Sequence, residues 1–212
     1  MAVLHRRESL LRLGYATAGA VLWAATYYGA AHIVRKAVLR SITPVDGMIP
    51  CVPCFAWSYL AGMMLPFIPV WFAPTKFLNQ ILSAYVLLIL LASATFVILP
   101  TDGQILRLQC PATANSFLRF IQQADPATNL FPSLHVAFAM MAALCMYRLH
   151  TKWSIMFIAA GIEAVTVCLV KQHSFVDSLG GAILAAICYL AVFRNYSWFV
   201  TPTATQFWRT RK

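Results

Sequence analysis

Six stretches of apolar residues, each about as long as a membrane crossing, constrain the fold of this chain more than any other feature. The hydrocarbon core of a bilayer is about 30 Å thick, and a helix rises about 1.5 Å per residue, so a crossing needs about 20 apolar residues. Charged residues make up only 10% of the sequence, whereas about a quarter of the residues in a soluble domain are charged. The six stretches cover residues 10–30, 51–72, 78–99, 131–148, 153–171 and 174–194.

These stretches predict an all-α integral membrane protein in which residues 1–212 form a single domain of six transmembrane helices. The first stretch lacks the short apolar core and small-residue cleavage site of a signal peptide, so we expect it to remain as a helix. In the long loop between the third and fourth helices, the sequence SFLRFIQQADPATN alternates apolar and polar residues, which predicts an interfacial helix.

The basic residues of the loops predict the orientation of the chain. Six crossings place both termini on one side, and that side carries ten Lys and Arg residues against six on the other. Because cytoplasmic loops carry the excess of Lys and Arg, the termini are predicted to be cytoplasmic, although Arg35, Lys36 and Arg40 favour the opposite. We expect a bacterial inner membrane or a eukaryotic endomembrane. The net charge of +10 fits contact with anionic lipid, and its dispersal argues against nucleic-acid binding.

The cysteines divide into two groups. Cys145, Cys168 and Cys188 lie in apolar stretches, where cysteine behaves as a small hydrophobic residue. The CVPC sequence at 51–54 has a redox spacing but lacks the strand and helix context that gives this motif its meaning. Cys110 is expected on the same side of the membrane as CVPC, so a structural disulfide is the alternative if that compartment is oxidising.

Ionisable residues are rare within the apolar stretches, because each costs about 2.5 to 3.5 kcal/mol at mid-membrane. From His135 the chain crosses the membrane, turns and returns to His173, so both histidines are predicted at the same face. Asp177 follows His173 by four residues, and a helix containing both would place the carboxylate beside the imidazole and fix its tautomer. Glu163 lies near the middle of the fifth stretch.

Groups that suit an anion are predicted near the two histidines. Pro132 fits the first position of a helix, which would leave the amides around Ser133 free to bind an anion. Lys171 either binds that anion with its ammonium group or extends this group to the interface between membrane and water. A nucleophilic imidazole, a second imidazole acting as an acid, and donors for phosphate oxygens are the parts needed for phosphoryl transfer without a metal or other cofactor.

Two short segments and the six-helix layout resemble the type 2 phosphatidic acid phosphatase superfamily of lipid phosphatases and phosphotransferases. PSLH at 132–135 resembles the Pro-Ser-Gly-His segment of that family, and KQHSFVD at 171–177 resembles the His-x-x-x-Asp half of its last motif. The resemblance implies that His173 is the nucleophile, that Asp177 supports it and that His135 is the acid. It also implies that Ser133 holds the phosphate.

Two phosphate-binding parts of the family pattern are missing. No Lys-x6-Arg-Pro motif precedes PSLH, and Arg107 is the best substitute for it, with Arg119 behind it. Val167 stands where the last motif has an arginine, so Lys171 is expected to supply that charge. These departures, with Leu134 in place of the glycine, make the chain more similar to the branch of inositol phosphorylceramide and sphingomyelin synthases.

The resemblance implies a metal-independent enzyme of the membrane that attacks a lipid phosphate or phosphodiester through a phosphohistidine. It would either release phosphate or transfer a head group between lipids, and its substrate would be a phospholipid, a sphingolipid or an isoprenoid phosphate. Two alternatives remain. His135, His173 and Asp177 also match a two-histidine, one-carboxylate metal site, and Glu163 could line the pathway of a lipid transporter.

Overall fold

The protein is described by a computed structural model that covers residues 2–34, 41–110 and 115–196. The described part is 79% helical and contains no strand, so the predicted all-helical class is confirmed. Six of the basic residues that bear on the predicted orientation lie outside these ranges, namely Arg35, Lys36, Arg40, Arg209, Arg211 and Lys212.

Ten α-helices follow one another in the described part of the chain, and five of them are long. They are α1 (Ala2–Ile33), α2 (Pro44–Met48), α3 (Ala56–Gly62), α4 (Phe67–Phe72), α5 (Leu78–Ile98), α6 (Gln104–Leu108), α7 (Ser116–Ala124), α8 (Leu134–Leu149), α9 (Ile155–Leu169) and α10 (Phe175–Tyr196).

Several helical segments are suited to crossing a membrane. Four are long and apolar enough by themselves, and α8 is a shorter apolar helix of 16 residues. The helix α1 has 32 residues but is less apolar than these segments. The fold is therefore consistent with a membrane protein that has four to five spanning helices, and the predicted total of six is not confirmed. The four segments are Pro53–Phe72, Thr75–Ile98, Thr151–Leu169 and Phe175–Arg194.

The second predicted helix, residues 51–72, is broken in the structure. A 3-10 turn at Pro53–Phe55 leads into α3, and residues 63–66 separate α3 from α4. A proline inside a helix lacks the amide hydrogen and its ring clashes with the carbonyl four residues earlier. Pro66 stands four residues after Gly62, so α3 ends there and a new helix begins after Pro66.

The helix α8 lies at the centre of the fold and packs against α5, α9 and α10, while α1 packs on α5. Four of its nine buried residues are alanines. Small residues let helices approach closely, which is the usual basis of helix association in membranes. The fully buried alanines of α8 are Ala137, Ala139, Ala142 and Ala143.

The start of α8 lies unusually close to α10. A Cβ atom added to Gly181 would lie 2.3 Å from the carbonyl oxygen of Ser133, and one added to Gly180 would lie 2.5 Å from the ring of Phe131. The Ser133 amide also donates a hydrogen bond of 2.9 Å to the Asp177 carbonyl. The two glycines therefore permit a backbone contact between the segment before α8 and the first turns of α10.

We expect Gly181→Ala to destabilise the protein by about 1 to 3 kcal/mol, the usual cost of overpacking, because the obstructing atom belongs to the backbone. Thermal unfolding of the purified protein in detergent measures this. Gly161→Ala is the matched control, since a Cβ there meets nothing within 4 Å. Equal melting temperatures for the two variants would contradict the close contact.

Candidate active site

The structure brings the two histidines together at one end of the helical bundle. His135 is the second residue of α8, and His173 lies in the turn between α9 and α10. The Nδ1 atom of His135 is 3.3 Å from the Nε2 atom of His173, and 38 positions separate the two residues in the chain. The two helices between them, α8 and α9, therefore return the chain to the same level.

The surroundings of His173 fix its tautomer. Its Nδ1 atom lies 3.0 Å from the carbonyl oxygen of Leu130, and a carbonyl can only accept a hydrogen bond. Nδ1 therefore carries the proton, and Nε2 carries the lone pair that faces His135. It follows that His135 donates from Nδ1. The Nε2 atom of His135 is buried and has no hydrogen-bond partner among the described residues.

The Asp177 carboxylate is not paired with His173, contrary to the prediction that it fixes the imidazole tautomer. Its Oδ2 atom accepts a hydrogen bond of 2.8 Å from the Ser174 amide, and the Asp177 amide donates to the Ser174 hydroxyl at 3.1 Å. This reciprocal pair is a capping box. Because α10 begins only at Phe175, His173 precedes the helix, and the expected four-residue spacing on one face does not apply.

Ser133 is the N-cap of α8, so Pro132 lies outside the helix rather than at its first position. The Ser133 hydroxyl oxygen accepts from the Val136 amide at 3.4 Å, and the Ser133 amide is used by the Asp177 carbonyl. The prediction that this amide is free to bind an anion is therefore wrong. The hydroxyl hydrogen of Ser133 remains available as a donor.

Lys171 is held by α2. Its ammonium group is buried and donates to the backbone carbonyl of Asp46, the third residue of that helix. Asp46 in turn accepts from the Phe175 amide at 2.7 Å and from the Thr43 amide at 2.7 Å. Lys171 also has a φ of 56°, in the left-handed region, where the chain turns after α9. The hydrogen bond of its ammonium group thus joins the turn to α2.

Arg107, on α6, contacts the turn of residues 170–174 that carries His173, called here the histidine turn. One guanidinium nitrogen is 2.7 Å from the Asp125 carboxylate and 3.0 Å from the Gln172 side-chain oxygen, next to His173. The other donates to the carbonyls of Gln122 and Asp125, both at 2.9 Å. Its Nε atom is buried without a partner in the described part of the chain.

Asp125 and Gln172 belong to this site although no sequence pattern indicates them. Arg119, the second candidate for binding phosphate, lies exposed on α7. Asp125 also accepts a hydrogen bond from the Tyr27 hydroxyl of α1. Burial raises the pKa of Asp125, and the neighbouring Arg107 opposes this shift. Asp125 therefore links α1, the loop and the histidine turn.

The alternative metal set of His135, His173 and Asp177 is not assembled. Across residues 2–34, 41–110 and 115–196, no three His, Cys, Asp or Glu side chains form a group that could hold a metal ion. His135 and His173 are adjacent, but the Asp177 carboxylate caps α10 instead of joining them.

Glu163, the residue that favoured a transporter, is buried between helices. A Cβ atom on Gly62 would lie 2.0 Å from a carboxylate oxygen of Glu163, so this side chain occupies the space that the glycine leaves. Glu163 therefore packs α9 against α3.

An apolar cavity of about 210 Å³ opens beside the histidine pair. Residues of α1, α4, α5 and α8, together with the break between α3 and α4, form its walls, and His135 lies among them. Concave apolar sites with a few polar groups are typical of small-molecule binding.

A disulfide joins Cys51 to Cys110, while Cys54 is free and exposed. The structural disulfide, and not a CVPC pair, is thus the arrangement present. Cys110 follows α6, which carries Arg107, and the Val52 amide donates to the Leu169 carbonyl at 2.9 Å. The disulfide therefore connects the Arg107 loop to the end of α9, close to the histidine turn.

No protein family model matches the chain, and no curated protein or solved structure matches it.

We expect either Asp125→Asn or Arg107→Met alone to lower the free energy of unfolding by about 3 kcal/mol, because each leaves the charge of the other residue without its counter-ion in a buried site. The double variant should be more stable than either single variant. Thermal unfolding of the four proteins measures this coupling. Strictly additive losses would show that the ion pair has no structural role.

Proposed function

We propose that the chain is a lipid phosphatase of the membrane that attacks a lipid phosphate through His173 without a metal. One observation carries this proposal. The unprotonated Nε2 of His173 faces the Nδ1–H of His135, at the edge of an apolar cavity. The resemblance of PSLH and KQHSFVD to the type 2 phosphatidic acid phosphatase superfamily supports the same function.

The reaction has two steps. His135 takes up a proton together with the bound phosphate and becomes an imidazolium. Nε2 of His173 attacks phosphorus, the bond from phosphorus to the leaving oxygen breaks, and the imidazolium of His135 gives that oxygen a proton and returns to its neutral form. The phosphohistidine is then attacked by water or a second hydroxyl, whose proton passes to His135, and the nitrogen–phosphorus bond breaks. Arg107 and the Ser133 hydroxyl are proposed to bind the phosphate oxygens. Asp177 and Lys171 act as positioning residues for the turn that carries His173.

The lipid is proposed to enter from the membrane. The apolar walls of the cavity suit an acyl or isoprenoid chain, while the phosphate would lie between the two histidines. We propose six crossings, with α6 and α7 at the outer interface. On α7, Phe120 is 64% exposed while Leu118 is buried, as expected of an interfacial helix.

The histidine pair is proposed to face the periplasm or a lumen, with both termini in the cytoplasm. The disulfide between Cys51 and Cys110 supports this orientation, because disulfides persist in oxidising compartments. The excess of basic residues on the side of the termini supports it as well.

A head-group phosphotransferase is the second candidate, and the pairing of the cations favours it. Arg107 is paired with Asp125, and Lys171 is bound to the Asp46 carbonyl. A site whose cations are already engaged binds a doubly charged phosphate monoester less strongly than one with free cations. A singly charged phosphodiester would fit such a site better.

We expect His173→Ala to abolish turnover of membrane lipids, since it removes the nucleophile. The purified protein is incubated with a lipid extract, and the products are separated into inorganic phosphate and new phospholipids, which distinguishes the two candidates. Radiolabelled substrate should leave an acid-labile label on the wild type and none on His173→Ala. His32→Ala, which changes an exposed histidine of α1, is the control. A wild-type rate in His173→Ala would end the proposed mechanism.

The proposed nucleophile should stay active in mild acid. The pKa of His173 lies well below its usual value of about 6.5. Burial is the main cause, and the neighbouring His135 lowers the pKa further. Only the neutral ring has the attacking lone pair, so the rate of phosphoenzyme formation should fall with decreasing pH only well below about 6.5. Single-turnover measurements across this range test the expectation. A fall of the rate towards acid pH with its midpoint at or above about pH 6.5 would contradict this expectation.

A further inference from the structure

The apolar cavity beside the histidine pair is long. Its wall on α1 runs from Tyr15 to Tyr27, and a helix rises about 18 Å between two such positions. The Asn129 side chain donates to the Tyr27 carbonyl at 2.6 Å, and the Leu130 carbonyl lies 3.0 Å from Nδ1 of His173. Because Asn129 and Leu130 are consecutive, Tyr27 marks the end of the cavity that lies beside the histidines.

The other end of the cavity lies at the start of α5. The Tyr15 hydroxyl donates to the side-chain oxygen of Asn79, and Leu78, the first residue of α5, lines the cavity together with Tyr15. The ring of Tyr27 is 5.7 Å from that of Phe96, near the end of α5. The helices α1 and α5 therefore run antiparallel beside the cavity, whose ends are separated by more than half of the thickness of a hydrocarbon core.

Gly19 lies in the middle of the α1 wall and leaves open space beside it. Trp23 and Tyr27, one and two turns further along the same face, also line the cavity, so a side chain at position 19 would point into it. A Cβ atom there would meet nothing within 4 Å. At Gly62, the other glycine of the cavity wall, the Glu163 carboxylate fills the corresponding space. The space beside Gly19 therefore belongs to the cavity and not to a contact between helices.

We propose that one hydrocarbon chain of the lipid lies along this wall and that Gly19 determines the length of chain that fits. The phosphate end lies at the histidine pair, and the far end points towards Tyr15. An extended chain advances about 1.2 Å per bond, so about 10 carbons reach the level of Gly19 and about 15 reach that of Tyr15. The inference rests on the proposed function for the position of the phosphate. It narrows the substrate class to lipid phosphates whose chain is long enough to pass Gly19.

Two photoreactive probes test the path of the chain. They are octyl phosphate and hexadecyl phosphate, each with a diazirine on the carbon farthest from the phosphate. The protein is held in lipid nanodiscs in a His173→Ala background, so that neither probe is consumed, and labelled residues are identified by mass spectrometry. We expect the octyl probe to label the wall between Gly19 and Tyr27. The hexadecyl probe should label the wall near Tyr15 and Leu78.

Gly19→Leu tests what determines the chain length. The added side chain occupies the space through which the longer chain passes, so labelling near Tyr15 by the hexadecyl probe should fall about tenfold, within the usual range for overpacking. Labelling by the octyl probe should be unchanged, which also shows that the variant is folded. Gly14→Leu is the matched control, because it adds the same side chain to α1 outside the cavity wall, where a Cβ atom also meets nothing within 4 Å. It should leave both labelling patterns unchanged.

The proposal is overturned if the two probes label the same residues, if the order of the labels along α1 is reversed, or if the labels fall only outside the cavity. Equal effects of Gly19→Leu and Gly14→Leu would also overturn it. Ordered labelling in a protein that turns over no lipid phosphate would sink the proposed function and leave the path of the chain standing. Turnover of lipid phosphate together with unordered labelling would do the reverse.

Discussion

The backbone contact between Ser133 and the first turns of α10 determines where both histidines lie. The Ser133 amide donates to the Asp177 carbonyl, and Gly181 leaves room for the Ser133 carbonyl. Ser133 also caps α8, which fixes the start of that helix and hence His135 two residues later. On the other side of the contact, Ser174 and Asp177 cap the start of α10, directly after His173. One contact between two capped helix ends therefore sets the distance between the two imidazoles.

That both histidines lie at one end of the bundle could be predicted, because two successive helices of similar length return the chain to the level it left. The role of Asp177 could not be predicted from its spacing to His173, because that spacing means a shared face only inside a helix. A local signal was nevertheless present. Ser174 and Asp177 stand three residues apart, which is the spacing of a capping box. It places the helix start after His173 and assigns the carboxylate to the backbone.

Other parts of the site depend on contacts that leave no local pattern. The sequence Asp125-Pro126 is that of an ordinary turn. In the structure, however, Asp125 pairs with Arg107 and accepts a hydrogen bond from Tyr27 of α1. Gln172 is an unremarkable polar residue in sequence, and 65 positions separate it from Arg107. The break between α3 and α4 is different, because Pro66 and Pro69 were visible inside the second apolar stretch. Hydropathy predicts the length of such a segment but not the continuity of its helix.

The hydrogen bond between the two imidazoles has a consequence for the proposed chemistry. Because Leu130 holds the proton of His173 on Nδ1, the proton of His135 points at Nε2, the atom proposed to attack phosphorus. A phosphate that enters between the rings separates them and replaces Nε2 as the acceptor of that N–H group. The donor that now binds the nucleophile would then bind the leaving oxygen, and the negative charge of the phosphate favours the imidazolium form of His135. The resting contact thus aligns the proposed acid before the substrate arrives.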